Sequence, residues 1–163
     1  MPRCYFLALS AGSSLDQQSN NVSLFQLVEQ VNVAEGTALP VGRQLPIEFP
    51  AYFYVNPQEI GQTVEMRFSL VASTGLETFS ETMSHRVATP RYRTRTMGLP
   101  YPATVGHYDL RVDFRVPSSG SVSSSWESGT LSAPDPAASS WVRDPLAWPI
   151  TFLEQSRAPT VTH

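Results

Sequence analysis

Residues 106–116 read Gly106-His107-Tyr108-Asp109-Leu110-Arg111-Val112-Asp113-Phe114-Arg115-Val116. Tyr108, Leu110, Val112, Phe114 and Val116 alternate with Asp109, Arg111, Asp113 and Arg115. A period of two puts alternate side chains on opposite faces, so this run predicts a strand with one buried and one wet face. Residues 63–71 repeat the pattern. Val64, Met66, Phe68 and Leu70 face one way, and Thr63, Glu65, Arg67 and Ser69 face the other. One-sided strands belong to antiparallel sheets.

Working outward, proline, glycine and serine punctuate the chain every eight to thirteen residues, with β-branched and aromatic runs between them. That spacing predicts an all-β chain, an antiparallel two-sheet sandwich of seven or eight strands. The strands expected are 4–10, 22–32, 46–55, 63–72, 77–87, 91–97, 106–116 and 148–154. Segment 22–32 is ambiguous. Leu24, Leu27, Val28 and Val31 fit a helical stripe better than a strand face, but an isolated helix sits oddly among so many strands. Strand is therefore the expectation. Tyr108, two residues after Gly106, has the position of a tyrosine corner, whose phenol bonds a backbone group across the turn.

Composition narrows the chemistry. The 163 residues predict a single domain, 1–163. All eleven basic residues are arginine, so Schiff-base and P-loop lysines are excluded. The net charge of −3 argues against nucleic acid as a partner. No apolar run approaches the ~18 residues of a membrane span, and the run after Arg3 is too short for a signal peptide. A cytoplasmic location without membrane contact is the expectation. Cys4 is alone and reads as a core or strand-face residue.

After Pro117 the chain turns serine-rich over 118–132, with Pro134 and Pro136 following, which predicts a Ser/Pro-rich loop over 118–140. Trp126, Trp141 and Trp148 lie in or beyond it. That much aromatic area predicts an ordered return to a last strand, 148–154. The three tryptophans read either as structural caps or as partner anchors.

The order Val22-Ser23-Leu24-Phe25, Leu45-Pro46, Pro57-Gln58-Glu59-Ile60-Gly61-Gln62, then Pro100 to Gly106-His107-Tyr108, resembles a family of small uncharacterised bacterial domains that look like immunoglobulin-type β-sandwiches. The resemblance spans about residues 4–116. It implies an immunoglobulin-like fold and brings no activity and no site residues with it. The serine-rich segment 118–140 departs from it.

No motif supplies a metal, cofactor or catalytic site, so none is expected. His85, His107 and His163 are not clustered. His107, Asp109 and Asp113 share a face with Arg111 between the aspartates, which favours charge pairing over metal binding. Glu77 and Glu81 read as a wet face rather than a glycosidase pair. There is no GxSxG elbow. A hydrolase would need His85 or His107 in a pocket beside a hydroxyl or carboxylate.

The most unusual feature is Arg91-Tyr92-Arg93-Thr94-Arg95, with Arg86 before it. In extended chain the arginines of 91–95 share a face at about 6.5–7 Å intervals. They read as a charged edge strand that opposes aggregation, paired with Glu65, Glu77, Glu81, Asp109 or Asp113. Otherwise Arg86, Arg91, Arg93 and Arg95 form a row for an acidic partner or nucleic acid. Tyr92 faces away, which weakens base stacking. The leading expectation is a non-enzymatic interaction or accessory module with an unidentified protein partner or self-association. The alternatives are an arginine-row binder and a hydrolase.

Overall fold

The computed structural model describes residues 1–117, apart from 17, 20, 37 and 41, and residues 140–155. The chain is all-β over these residues, with twelve strands in chain order: β1 (Arg3–Leu7), β2 (Ser10–Leu15), β3 (Val22–Leu27), β4 (Gln30–Ala34), β5 (Phe49–Tyr54), β6 (Thr63–Ala72), β7 (Glu77–Phe79), β8 (Met83–Arg86), β9 (Arg91–Thr96), β10 (Gly106–Arg115), β11 (Val142–Arg143) and β12 (Trp148–Gln155). One turn of 3-10 helix, Pro57–Glu59, precedes β6.

Three sheets result. The smaller is β1-β5-β9 and the larger is β4-β12-β10-β6-β7, with β8 also on β6 and β11 also on β10; β2 and β3 form a hairpin. The inward residues of β6 and β10 are buried as their alternation requires, except that Val116 falls beyond β10 and is exposed. They meet the smaller sheet through Phe49 against Phe68, at 4.6 Å between ring centroids, and Phe53 against Phe114, at 5.3 Å. Burying each such side chain contributes about 1.5–3 kcal/mol, so these layers carry most of the drive to fold.

Several expectations are corrected. The sheets are not wholly antiparallel, because β12 runs parallel to β4, from Thr151↔Gln30 to Gln155↔Ala34. Among the described residues strands number twelve rather than seven or eight, in part because long runs change partner partway. The first run passes from β5 to β3 at Ala8 and Leu9, where Ala8 N bonds Pro50 O and Val28 N bonds Leu9 O. Segment 22–32 becomes two strands, and its helical stripe is not used: β3 pairs with β2, β4 pairs with β12, and Gln26 takes a positive φ of 51°. The run 77–87 is interrupted where Ser80 N bonds Phe68 O and Phe68 N bonds the Ser80 hydroxyl.

Tyr108 forms the expected corner. Its phenol donates to Thr104 O at 2.8 Å and lies 3.0 Å from the Thr104 hydroxyl. Gly106 leads into it with φ 144°, a conformation that side chains disfavour.

Candidate functional site: an arginine and tyrosine face

β9 is the terminal strand of the smaller sheet, and its register against β5 sets Arg91 opposite Tyr54, Arg93 opposite Tyr52 and Arg95 opposite Pro50. On the far side of β5, β1 sets Arg3 opposite Tyr54 and Phe6 opposite Tyr52, with a bulge between Cys4 and Phe6. Directly opposed residues share a face, so two rows cross the sheet: Arg3–Tyr54–Arg91 and Phe6–Tyr52–Arg93. The Arg93 guanidinium carbon lies 6.0 Å from the Tyr52 ring centroid, and Tyr5 and Phe6 contact the same ring. Tyr5 and Tyr54 are 54% and 49% exposed, a large aromatic area to leave facing water. Burial raises the pKa of Tyr52, and the nearby Arg93 charge partly opposes the rise.

The β2–β3 hairpin arches over this face. Arg95 Nη2 donates to Ser13 O at 3.3 Å, and the Ser13 hydroxyl donates to Glu48. Leu15 and Val22 on the hairpin line a groove of about 290 Å³ with Tyr52, Arg93 and Arg95.

Four of the five carboxylates expected to neutralise the arginine row are engaged elsewhere. Glu65 pairs with Arg115, Glu77 with Arg143, Asp109 with Arg111, and Asp113 with both Arg67 and Arg143. Asp113, read as solvent-facing, is in fact only 2% exposed, because these arginines and Trp141 cover it. Glu81 makes no ion pair among the described residues. Within the row, Arg95 has the Glu48 carboxylate 3.6 Å away. No carboxylate among the described residues pairs with Arg3 or Arg91.

Arg86 does not join the row. It ends β8, opposite Thr63 in the larger sheet. Trp141 lies over the guanidinium carbons of Arg67 and Arg115, with centroid distances of 4.3 and 4.6 Å. Trp148 donates its indole N–H to Val28 O at 3.0 Å and adds to the core. Both rings are thus occupied by contacts within the chain. Trp126, like most of 118–140, lies outside the described residues.

The hydrolase test is met only in part. His107 Nδ1 is 2.9 Å from the Thr151 hydroxyl, beside a shallow depression of about 200 Å³ that Asp109 also lines. The Asp109 carboxylate, however, is bound by Arg111 at 2.7 Å rather than by the imidazole. His85 instead stacks on Tyr92 at 3.7 Å, and burial lowers its pKa. Burial, then the Asp144 charge, pushes the Cys4 thiol up to about 12, so it is no nucleophile near neutral pH. Among the described residues no three histidines, cysteines or carboxylates converge on a metal position, and no helix is long and apolar enough to cross a membrane.

The sequence reading missed Arg3, Phe6, Tyr52 and Tyr54. A signal was present: in Phe49-Pro50-Ala51-Tyr52-Phe53-Tyr54 the tyrosines fall out of phase with Phe49, Ala51 and Phe53, which are buried. Comparison with protein-family models, curated proteins and solved structures finds nothing that matches this chain.

Proposed function

We propose that this chain is a non-enzymatic interaction module, a single immunoglobulin-like sandwich that binds an acidic protein partner through the outer face of β1-β5-β9. One contrast carries the reading. Arg67, Arg111, Arg115 and Arg143 on the larger sheet each hold a carboxylate, whereas Arg3 and Arg91 pair with no carboxylate among the described residues. Guanidinium groups beside exposed aromatic rings suit partner carboxylates, because arginine donates in a planar fork and desolvates more readily than lysine.

Calorimetry with polyglutamate at low salt tests this. Arg3→Glu together with Arg91→Glu weakens binding about tenfold or more, while Arg86→Glu on the other sheet leaves it within about twofold. Equal loss in both variants, or no binding by the unaltered protein, refutes the reading.

A second reading has one observation in its favour. Tyr52 and Tyr54 interleave with the arginines from the neighbouring strand, which supplies the stacking groups that Tyr92 does not. A gel shift with single-stranded oligonucleotide at two salt concentrations separates the two. Binding that falls steeply with salt and exceeds that of polyglutamate favours nucleic acid, against the net charge of −3.

A further inference from the structure

β4 ends the larger sheet, where it pairs with β12 and with no other strand among the described residues. Thr151 N donates to Glu29 O at 2.9 Å, and Glu35 N donates to Gln155 O at 3.2 Å. In a parallel ladder a strand gives one neighbour the backbone groups of every second residue, so these bonds fix the phase. Val31 and Val33 turn their groups to β12. Gln30, Asn32 and Ala34 turn theirs the other way, where they meet no backbone partner among the described residues.

Other strands at the margins of the fold carry a guard. On β1 the Asp144 carboxylate takes the Cys4 amide, and the strand is bulged between Cys4 and Phe6. β7, β8 and β9 bear charged side chains, Glu77, Arg86 and Arg91 among them. β3 is interrupted by Gln26, with its φ of 51°. Charge and irregularity are the usual obstacles to strand addition. β4 has neither: Gln30-Val31-Asn32-Val33-Ala34 is unbulged, uncharged and without proline.

We propose that a second copy of this chain adds to this edge, β4 antiparallel to β4 with Asn32 on the two-fold axis, so that the larger sheets of the two copies become one. Pairing about Asn32 sets Gln30 opposite the other Ala34 and Val31 opposite the other Val33, and every outward backbone group gains a partner. Asn32 faces its own counterpart. A carboxamide both donates and accepts, so it complements its own copy as a carboxylate or a guanidinium does not. The Asn32 oxygen accepts Gln30 Nε2 at 2.6 Å and keeps a second lone pair for the partner amide. Val31, opposite Phe152, and Val33 are half-buried against the core, so pairing covers apolar surface that one copy leaves at the rim. An axis through Val31 instead brings Ala34 to Val28, whose amide already donates to Leu9 O at 2.8 Å. The Asn32 axis leaves that bond alone. It also sets Glu29 opposite Glu35 at both ends of the paired stretch, and like charges there weaken the dimer at low salt. This edge belongs to the larger sheet and the arginine face to the smaller, so the dimer and the acid-binding reading stand or fall separately.

Sedimentation equilibrium of the full chain at low salt tests it. The unaltered protein associates reversibly to a dimer. Glu29→Lys turns both end repulsions into attractions and lowers the dissociation constant about tenfold or more. Glu29→Lys with Glu35→Lys restores the repulsion and the weaker constant. Gln30→Lys with Ala34→Lys sets like charges across the pair and raises the constant about tenfold or more, whereas Gln30→Lys with Ala34→Glu does not. All four side chains are exposed, and far-ultraviolet circular dichroism checks that each variant is folded. A chain that stays monomeric up to about 1 mM overturns the proposal. So does a dimer that responds alike to Glu29→Lys with and without Glu35→Lys, or alike to the two Gln30 and Ala34 pairs.

Discussion

The carboxylate of Asp144 accepts the backbone amide of Cys4 at 2.8 Å, joining positions 140 residues apart. Its other oxygen accepts the Leu146 amide at 2.9 Å, and Asp144 itself is buried. One side chain therefore ties the outer edge of β1 to the segment that runs on from β11. Asp144→Ala leaves two amides without their acceptor and is expected to cost about 2–4 kcal/mol, since hydrogen bonds to charged groups contribute about 1.5–3 kcal/mol each. Asp144→Asn keeps one acceptor oxygen and falls between. Urea unfolding of the three proteins checks the order.

The Cys4 thiol follows from the same neighbourhood. Burial and the adjacent Asp144 charge raise its pKa to about 12, and the thiol donates to Phe6 O at 3.1 Å. The folded protein is expected to react with a thiol-specific disulfide reagent at pH 8 at least about a hundredfold more slowly than the urea-unfolded chain, because thiolate is the reacting form. Comparable rates in the two states contradict the assignment.

Tyr108→Phe removes the phenol that donates to Thr104 O. The ring still meets Phe152 edge-on at 5.6 Å, so packing is retained. The loss expected is about 0.5–1.5 kcal/mol, the net worth of one hydrogen bond, read as a lower Tm without a change in far-ultraviolet circular dichroism.

Glu77 predicts an acid limb in the stability curve. Its hydrogen bonds from Arg143, chiefly, hold its pKa below the ordinary 4.5. A carboxyl whose folded pKa is depressed contributes stability above its unfolded pKa, and that contribution is lost as pH falls through the folded value. Glu77→Gln is therefore less stable than the unaltered protein at pH 7 and converges with it below pH 4.5. Urea midpoints taken from pH 7 to pH 3 test the convergence.

Ser69 is fully buried on β6, and its hydroxyl has no hydrogen-bond partner among the described residues. Leaving such a group unpaired costs about 1–3 kcal/mol, so Ser69→Ala is expected to stabilise the protein. A lowered Tm in that variant rejects the argument.

What could be read beforehand follows from the range over which each signal acts. Val64, Met66, Phe68 and Leu70 declare β6 because every second residue is buried, a property local to the strand. Gly106 and Tyr108 declare the corner for the same reason. The parallel pairing of Gln30 with Thr151 leaves no local mark, because which strands meet is decided by the whole sheet. The β2–β3 hairpin escaped because Ser10-Ala11-Gly12-Ser13-Ser14 has no apolar alternation. Arg91, Arg93 and Arg95 were legible as a row, but the choice of partner for Glu65 and Asp113 depended on Arg115, Arg67 and Arg143 standing closer.

β12 lies between β4 and β10 in the larger sheet. A nascent chain leaves the ribosome from its N-terminus, so β4 and β10 emerge with their shared neighbour still unsynthesised. Both then present bare backbone, and among the described residues no strand but β12 joins β4 to that sheet, so the link waits for residues 148–155. Completion of the sheet is thus a late event in biosynthesis, and truncation before Trp148 yields a translation product inclined to aggregate.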